Sequence, residues 1–477
     1  MKASSAALSA AVCLALPLLA VAAPSPEQRA RAALDSLREV SGVPGMAAAV
    51  WQDGRLRWHG ESGWADLALQ RPIRPETRFR LASVSKPFAA VAAAQLKAAG
   101  RLDPDRAIGA LLPELSPALA ALTPAQLAAH LSGMPHYEAV DAHRGQRHHA
   151  TARAALVELA GRELKAAPGE RYLYSSWGYT LLAAAVEAAA GQPYPALLAA
   201  RVAPGLAIGP DLTGQSPEMT QAYVFGPDGA EVGPPHDYSY SWGGAALAGS
   251  ASALAQWGGQ VLQGPIVDAK TRDWMWQPVL DSRGQPVGER RFKMGFGWRL
   301  DTDTQGQRLI HHAGATLGAR SALLLWPEAR TSASLLSNAM WTSSIELSAE
   351  LLSAPFRAPV PGLPEAACPV TAARYEGDLA GTAVTGSATF RRDAAGLCVG
   401  QLSLPPAVAA VVNPGPQPAS AVMRVVSLQG DLARAALVTG IGLADWQAQA
   451  DGSVRVDGLA GRRLVLRLQQ ESGAPVR

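Results

Sequence analysis

Apolar residues recur at helical spacing over residues 27–40, and the pattern then changes. The next stretch, GMAAAVWQDGRLRWHGESGWADL, is two extended apolar runs around Asp53-Gly54. Asp-Gly between such runs is a strong hairpin signal, because both turn residues tolerate positive φ. A helix followed by an antiparallel hairpin is therefore predicted. An alanine-rich helix is expected from about Ser83. From Thr123 to about Gln260 the pattern reads as mostly helical with long loops. One helix opens at Thr123-Pro124 and stops at Gly133, a second ends at Gly191, and a third lies in ASALAQWGGQVL. Beyond Phe292 short apolar runs return (MGFGWRL, RLIHHAGA, RSALLLWPEARTSASLLSN), and SSIELSAELLSAPF closes them with a helix. The order strands, helices, strands predicts a discontinuous α/β domain, its sheet built from both ends of the segment and its helical part inserted between. Residues 355–370 are proline-rich and read as a linker. Residues 371–477 carry short β-like runs and no long helix, and are expected to form a separate small β domain.

Composition narrows the function. Of 477 residues, 48% are apolar and 17% charged, so a sizeable core is expected and disorder is not. The net charge of +3 is small and the arginines are scattered, which gives no basic stripe for nucleic acid. Residues 1–22 read as a signal peptide. Lys2 supplies the positive start, residues 6–21 the apolar run, and Ala20 and Ala22 the small residues before a cut at Ala23. That run is too short and too early for a stable membrane span. The mature chain, residues 23–354 with the linker and β domain, is expected in the periplasm or outside the cell. Cys13 leaves with the signal. Cys368 and Cys398 remain, and in an oxidising compartment they suggest one disulfide. No CxxC or HExxH occurs, so a metal site has no support in the sequence.

Lysine is scarce, found at Lys2, Lys86, Lys97, Lys165, Lys270 and Lys293 among 42 basic residues. One of the six sits in Ser83-Val84-Ser85-Lys86. An arginine does not lose its proton in a protein, whereas a buried lysine can. On a helix starting near Ser83, positions i and i+3 share a face, so Lys86 Nζ could reach Ser83 Oγ. A serine hydroxyl is a poor nucleophile until a base removes its proton, and Lys86 could be that base if desolvated. Ser85 competes by composition but lacks that offset. Tyr174, after the turn-former Pro168-Gly169, could relay protons if a cation favoured its phenolate. In HHAGATLGARS, Gly314 follows polar residues in a strand, as where backbones approach closely, and an amide there could serve an oxyanion hole. His311 and His312 alternate on that strand, so only one can face a site. Each motif alone is weak, since SxxK arises often by chance and a tyrosine at a helix start is more often a packing residue.

Taken in order and spacing, the three resemble the β-lactamase-related serine hydrolases: class C β-lactamases, D-alanyl-D-alanine carboxypeptidases, D-amino-acid peptidases and related esterases. The likeness extends to VPGMAAAVWQDGRLRWHGESGWADL, LAAHLSGMPHY, WGGAALAGSASALAQW and the closing strands, covering about residues 27–354. It implies an α+β fold, an antiparallel sheet flanked by helices with an inserted all-helical subdomain. It also implies roles. Ser83 is the acylated nucleophile, Lys86 its base partner, and Tyr174 assists proton transfer to and from the leaving group. His312 takes the place of the family's lysine in Lys-Thr-Gly, and the N–H groups of Ser83 and Ala315 form the oxyanion hole. Two departures stand out. Tyr-x-Asn is here Tyr174-Ser175-Ser176, so Ser176 offers a hydroxyl where the substrate normally meets an amide. His312-Ala313-Gly314 removes a cation and a hydroxyl that would hold a β-lactam carboxylate.

The reading is an exported serine hydrolase acting on small-molecule or short-peptide substrates, esters or D-amino-acid peptides. A β-lactamase, or a penicillin-binding sensor that acylates without turnover, is the alternative. Arg320 reads as a surface arginine before it reads as a carboxylate partner. His143, His148 and His149 read as a solvated loop, without the spacing a metal needs, that could border the cleft. The β domain resembles small extensions in some family members; its role as lid, dimer contact or appendage, and the oligomeric state, stay open.

Overall fold

The structure is a computed structural model that describes residues 23–470, apart from 142, 228, 370, 371, 413–420 and 430. The expected signal peptide lies outside the described residues. No helix among them is long and apolar enough to cross a membrane.

Helix α1 (Pro26–Ser41) starts with a Ser25–Gln28 capping box and Pro26 in its first turn, and ends at Gly42 in the left-handed conformation. Strands β1 (Gly45–Gln52) and β2 (Arg55–Asp66) follow. Their two-residue turn holds Asp53 at φ 49° and Gly54 at φ 83°, both positive as a tight hairpin requires. The other half of the sheet comes some 250 residues later: β3 (Arg299–Thr302), β4 (Arg308–Thr316), β5 (Ala319–Trp326) and β6 (Thr331–Ser337). The two halves join where β1 pairs antiparallel with β6, Met46 opposite Ser337. The order β2-β1-β6-β5-β4-β3 is completed by two-residue edge strands at Arg71–Pro72 and Lys293–Met294.

Both faces are covered, which is why β1 reads as a continuous apolar run. Ala47, Ala49, Leu323 and Leu336 face the core that holds helices α2 (Ser85–Ala98), α3 (Ser176–Ala190) and α4 (Ala251–Gln263). Met46, Ala48, Leu324 and Leu335 face α1 and the closing helix α5 (Ile345–Ser353).

The C-terminal part is a closed barrel of eight strands, β7 (Ala372–Leu379), β8 (Thr382–Arg392), β9 (Cys398–Ser403), β10 (Val422–Ser427), β11 (Arg434–Thr439), β12 (Gly442–Ala448), β13 (Ser453–Leu459) and β14 (Arg462–Gln470). Cys368 is bonded to Cys398. Alternation along β11 explains the docking: Ala435 and Leu437 fill the barrel, while Ala436 and Val438 join the α1 and α5 core. The barrel thus sits behind the sheet, across it from α2 and α3, and is no lid over that side.

A buried polar cluster stitches the two parts. Arg434 donates to Asp445 at 3.1 Å and to Thr304 at 3.2 Å, and lies 4.0 Å from Glu350. Arg357 pairs with Asp303, which also accepts from Trp326. Arg357 is buried and Phe356 stacks on Trp58, so the start of the proline-rich stretch packs as part of the first domain. Burial pushes the Glu350 carboxyl up to about 7, against Arg357 and Thr304, which favour its charge. A raised acid pKa means the native state holds a proton that the unfolded chain has released. Its contribution is therefore full below pH 4.5 and lost as pH rises through about 7. Thermal unfolding should accordingly show wild-type stability falling between pH 5 and pH 8, by at most about 3 kcal/mol from this group. Glu350→Gln should flatten that slope, and an unchanged slope would refute the assignment.

Three local expectations shift. The helix expected from Ser83 begins at Ser85, after a single 3₁₀ turn at Ala82–Val84. The helix expected to reach Gly133 ends at Ala128, where His130 turns left-handed at φ 58°. There the backbone leaves the helix to bond residues 173–175: Leu173 N donates to His130 O at 2.8 Å and Ser175 N to His130 Nδ1 at 3.1 Å. A short helix, Pro406–Val412, interrupts the β domain.

Candidate active site

The site forms where the first turn of α2 meets the start of α3 and the end of β4. Ala82 is held at φ 47°, a left-handed alanine that costs about 1 kcal/mol or more. Its neighbours enforce it. Leu81 N donates to Leu247 O at 2.8 Å, and Ser321 Oγ donates to Leu81 O at 2.6 Å. Strand β4 comes so close that a Cβ at Gly314 would lie 2.5 Å from Leu81 O and 2.9 Å from Ala82 Cβ. Glycine is therefore required at 314, and Ala315 is carried up beside the Ser83 turn.

Lys86 is fully buried one turn after Ser83. Its Nζ bonds Ser83 Oγ at 3.1 Å, Ser176 Oγ at 3.0 Å and Gly244 O at 3.0 Å. Burial pushes its ammonium below lysine's ordinary value, against the pull of Tyr174. With Gly244 O fixed as an acceptor, a neutral Lys86 points its lone pair at one of the two hydroxyls. Tyr174 OH donates to Ser83 Oγ at 2.8 Å. Burial pushes the phenol up, but the charge of Lys86 and the bond to Ser83 outweigh it, so the net shift is downward. The two groups titrate as a pair around one hydroxyl.

Tyr174 is aimed by its surroundings. Ser175 caps α3, accepting from Gly178 N at 3.0 Å and donating to Pro135 O at 2.6 Å. The His130 ring lies 4.4 Å from that of Tyr174, centroid to centroid. Ser176 N donates to His136 Nδ1 at 3.3 Å. His312 is fully buried on β4. Its Nδ1 bonds Ala313 O at 2.8 Å and its Nε2 has no partner. Burial first, then Arg299 and Lys86, hold it well below the ordinary histidine range, so it is a neutral imidazole. His311 points elsewhere, 3.6 Å from Asp301.

Other singled-out residues go to structural work. Ser85 Oγ accepts from Leu247 N at 3.2 Å. Arg320 donates to Met340 O at 2.7 Å. His148 bonds Asp237 at 2.8 Å, and His149, expected in a solvated loop, is buried 3.2 Å from Glu158. Sequence reasoning did not single out the Gly244 carbonyl, His130, His136, Arg144 or Arg299. The backbone acceptor leaves no trace in residue type. The two histidines flank Leu-Ser-Gly-Met-Pro with no spacing that announces a ring packed on Tyr174.

A cleft of about 470 Å³ opens from Ser83 and Ser176. Ala315, Thr316 and Leu317 line one side; Tyr137, Tyr238 and Tyr240 also line it. An antiparallel sheet thus lies between two helical layers, with a serine, a buried lysine and a tyrosine joined at one hydroxyl, the architecture of the serine beta-lactamase and penicillin-binding-protein fold. The chain belongs to the beta-lactamase family, whose model matches residues 30–351. It is similar to the mitochondrial serine beta-lactamase-like protein LACTB of Homo sapiens, 26% identical over 394 residues, covering 63% of this chain and 72% of that one. Esterase EstB of Burkholderia gladioli is 35% identical over 178 residues, 33% of this chain and 44% of its own. The octameric penicillin-binding protein homologue from Pyrococcus abyssi shares the fold over 92% of this chain and 99% of its own, with a TM-score of 0.58 at 18% identity.

Proposed function

We propose that the chain is an exported serine hydrolase that cleaves short esters or D-amino-acid peptides through an acyl-enzyme. The observation that carries this is Ser83 Oγ held between a fully buried lysine amine at 3.1 Å and a tyrosine hydroxyl at 2.8 Å. Neutral Lys86 takes the Ser83 proton as Oγ attacks the substrate carbonyl. The N–H groups of Ser83 and Ala315 receive the oxyanion. Tyr174 passes a proton to the leaving alcohol or amine and is reprotonated through Lys86. Water then attacks the acyl-enzyme by the reverse relay, releasing the acid and restoring Ser83. No cofactor enters. His312, neutral where the β-lactamase branch carries lysine, offers no fixed charge to a β-lactam carboxylate. Esters and D-peptides are therefore favoured over β-lactams.

The test is intact mass after exposure to a fluorophosphonate, for wild type and Ser83→Ala. One adduct on the wild type and none on the variant is expected. An adduct that survives in Ser83→Ala would move the nucleophile elsewhere. Steady turnover of p-nitrophenyl esters after the acylation burst separates a hydrolase from a sensor that stops at the acyl-enzyme.

A further inference from the structure

We propose that the acyl part of the substrate carries an anion, a carboxylate, and that Arg144 is the residue that selects it. This rests on Ser83 being the nucleophile. The leaving group must lie toward Tyr174, which supplies its proton. Lys86, Tyr174 and His312 are outside the lining of the cleft, whereas Ser83 and Ala315 are part of it. The cleft therefore receives the acyl group.

Its charge is one-sided. Among the described residues Arg144 is the only arginine or lysine on the lining, and no aspartate or glutamate lines it. The two lining histidines, His136 and His236, are each pushed down to about 4, by burial first, and are neutral at pH 7. Arg144 itself is not neutralised. Its Nη1 donates to Asp141 O at 2.9 Å and its guanidinium lies over the Tyr137 ring at 4.7 Å. Its Nε is buried without a partner, and no carboxylate among the described residues forms an ion pair with it. The nearby Asp141 carboxylate is taken by Arg162, Trp177 and Glu138 N. Gly145, next to Arg144, is held in place. Asp237 N donates to Gly145 O at 3.0 Å, and Gly145, at φ 83°, lies so close to the His236 ring that a Cβ there would approach it to 2.5 Å.

A lone cation in an aromatic, half-closed cleft attracts an anion more strongly than it would in water and repels a cation. A dicarboxylic hemiester, or a peptide with an acidic residue on its acyl side, fits. A substrate with a free α-ammonium beside the scissile carbonyl meets no carboxylate.

The experiment compares kcat/KM for three p-nitrophenyl esters of similar length: the glutarate hemiester, the neutral valerate and the cationic 6-aminohexanoate. Wild type should prefer glutarate over valerate by about tenfold or more, with 6-aminohexanoate poorest. In Arg144→Gln the glutarate-to-valerate ratio should fall to within about twofold of unity. Arg144→Lys, which keeps the charge, should retain part of the preference. A wild-type ratio near one, a preference that persists in Arg144→Gln, or a lysine variant that recovers none of it would overturn the proposal while valerate turnover left the nucleophile assignment standing. No turnover together with no fluorophosphonate adduct would overturn both.

Discussion

Replacing Lys86 by methionine is expected to slow acylation by about 10³-fold or more, within the usual range for a lost general base and more where the nucleophile depends on it. Methionine fills much the same buried volume but cannot accept the Ser83 proton. Arginine at 86 should fail almost as badly, since it keeps the positive charge and cannot give up its own proton. That comparison separates a base from a mere cation: a lysine acting only by its charge would be largely replaced by arginine. The rate of fluorophosphonate labelling is the readout. In the wild type it should rise with pH through an apparent value below lysine's ordinary 10.5, because burial favours the neutral amine. In Lys86→Met the rise should disappear. Labelling at near wild-type rate in either variant would remove Lys86 from the mechanism.

The second large effect is on stability. Arg434→Met should cost about 3–5 kcal/mol, the expected penalty for removing one partner of a buried ion pair. Asp445 is fully buried, and without Arg434 it would keep, among the described residues, the side-chain bonds to the Gln447 amide at 2.8 Å and the Gln305 amide at 3.4 Å. Chemical unfolding monitored by tryptophan fluorescence would measure the loss. The double variant Arg434→Met with Asp445→Leu should recover much of it, because the orphaned charge is removed as well. A single variant as stable as wild type would mean that the pair contributes nothing to holding the barrel.

What could be read from residue order and what could not divides along physical lines. Gly54, Gly191 and the Thr123-Pro124 start are local signals, and local geometry follows from them. That the sheet draws strands from both ends of the segment was legible, because short apolar runs flank the helical stretch; the order of the strands and the burial of β1 on both faces emerge only from the pairing of β1 with β6. The Ser83–Lys86 offset was readable as a spacing; the third partner, Tyr174, became meaningful only beside the other motifs. The kink at His130 was not legible. A helix-compatible stretch is overridden there by hydrogen bonds to residues 173–175, some 40 positions away. The left-handed Ala82 is likewise invisible in residue type, since it is imposed by Leu247, Ser321 and Gly314. Arg144 sits in a polar loop that composition alone places in solvent. The barrel's position behind the sheet depends on which face of β11 is apolar on both sides, a fact that appears only once α1 and α5 are in place.

The joining of β1 to β6 has a bearing on how the chain is made. The Ser83 turn leaves the ribosome long before β4, whose Gly314 and Ala315 complete its surroundings, and long before β6 closes the sheet on β1. Lys86 is dehydrated only once Ser176 and Gly244 have folded over it. A nascent chain thus carries its serine as an ordinary hydroxyl beside an ordinary, protonated lysine, and stays chemically silent through most of its synthesis. On the proposed mechanism reactivity switches on with tertiary closure, so the fold serves as its own safety catch.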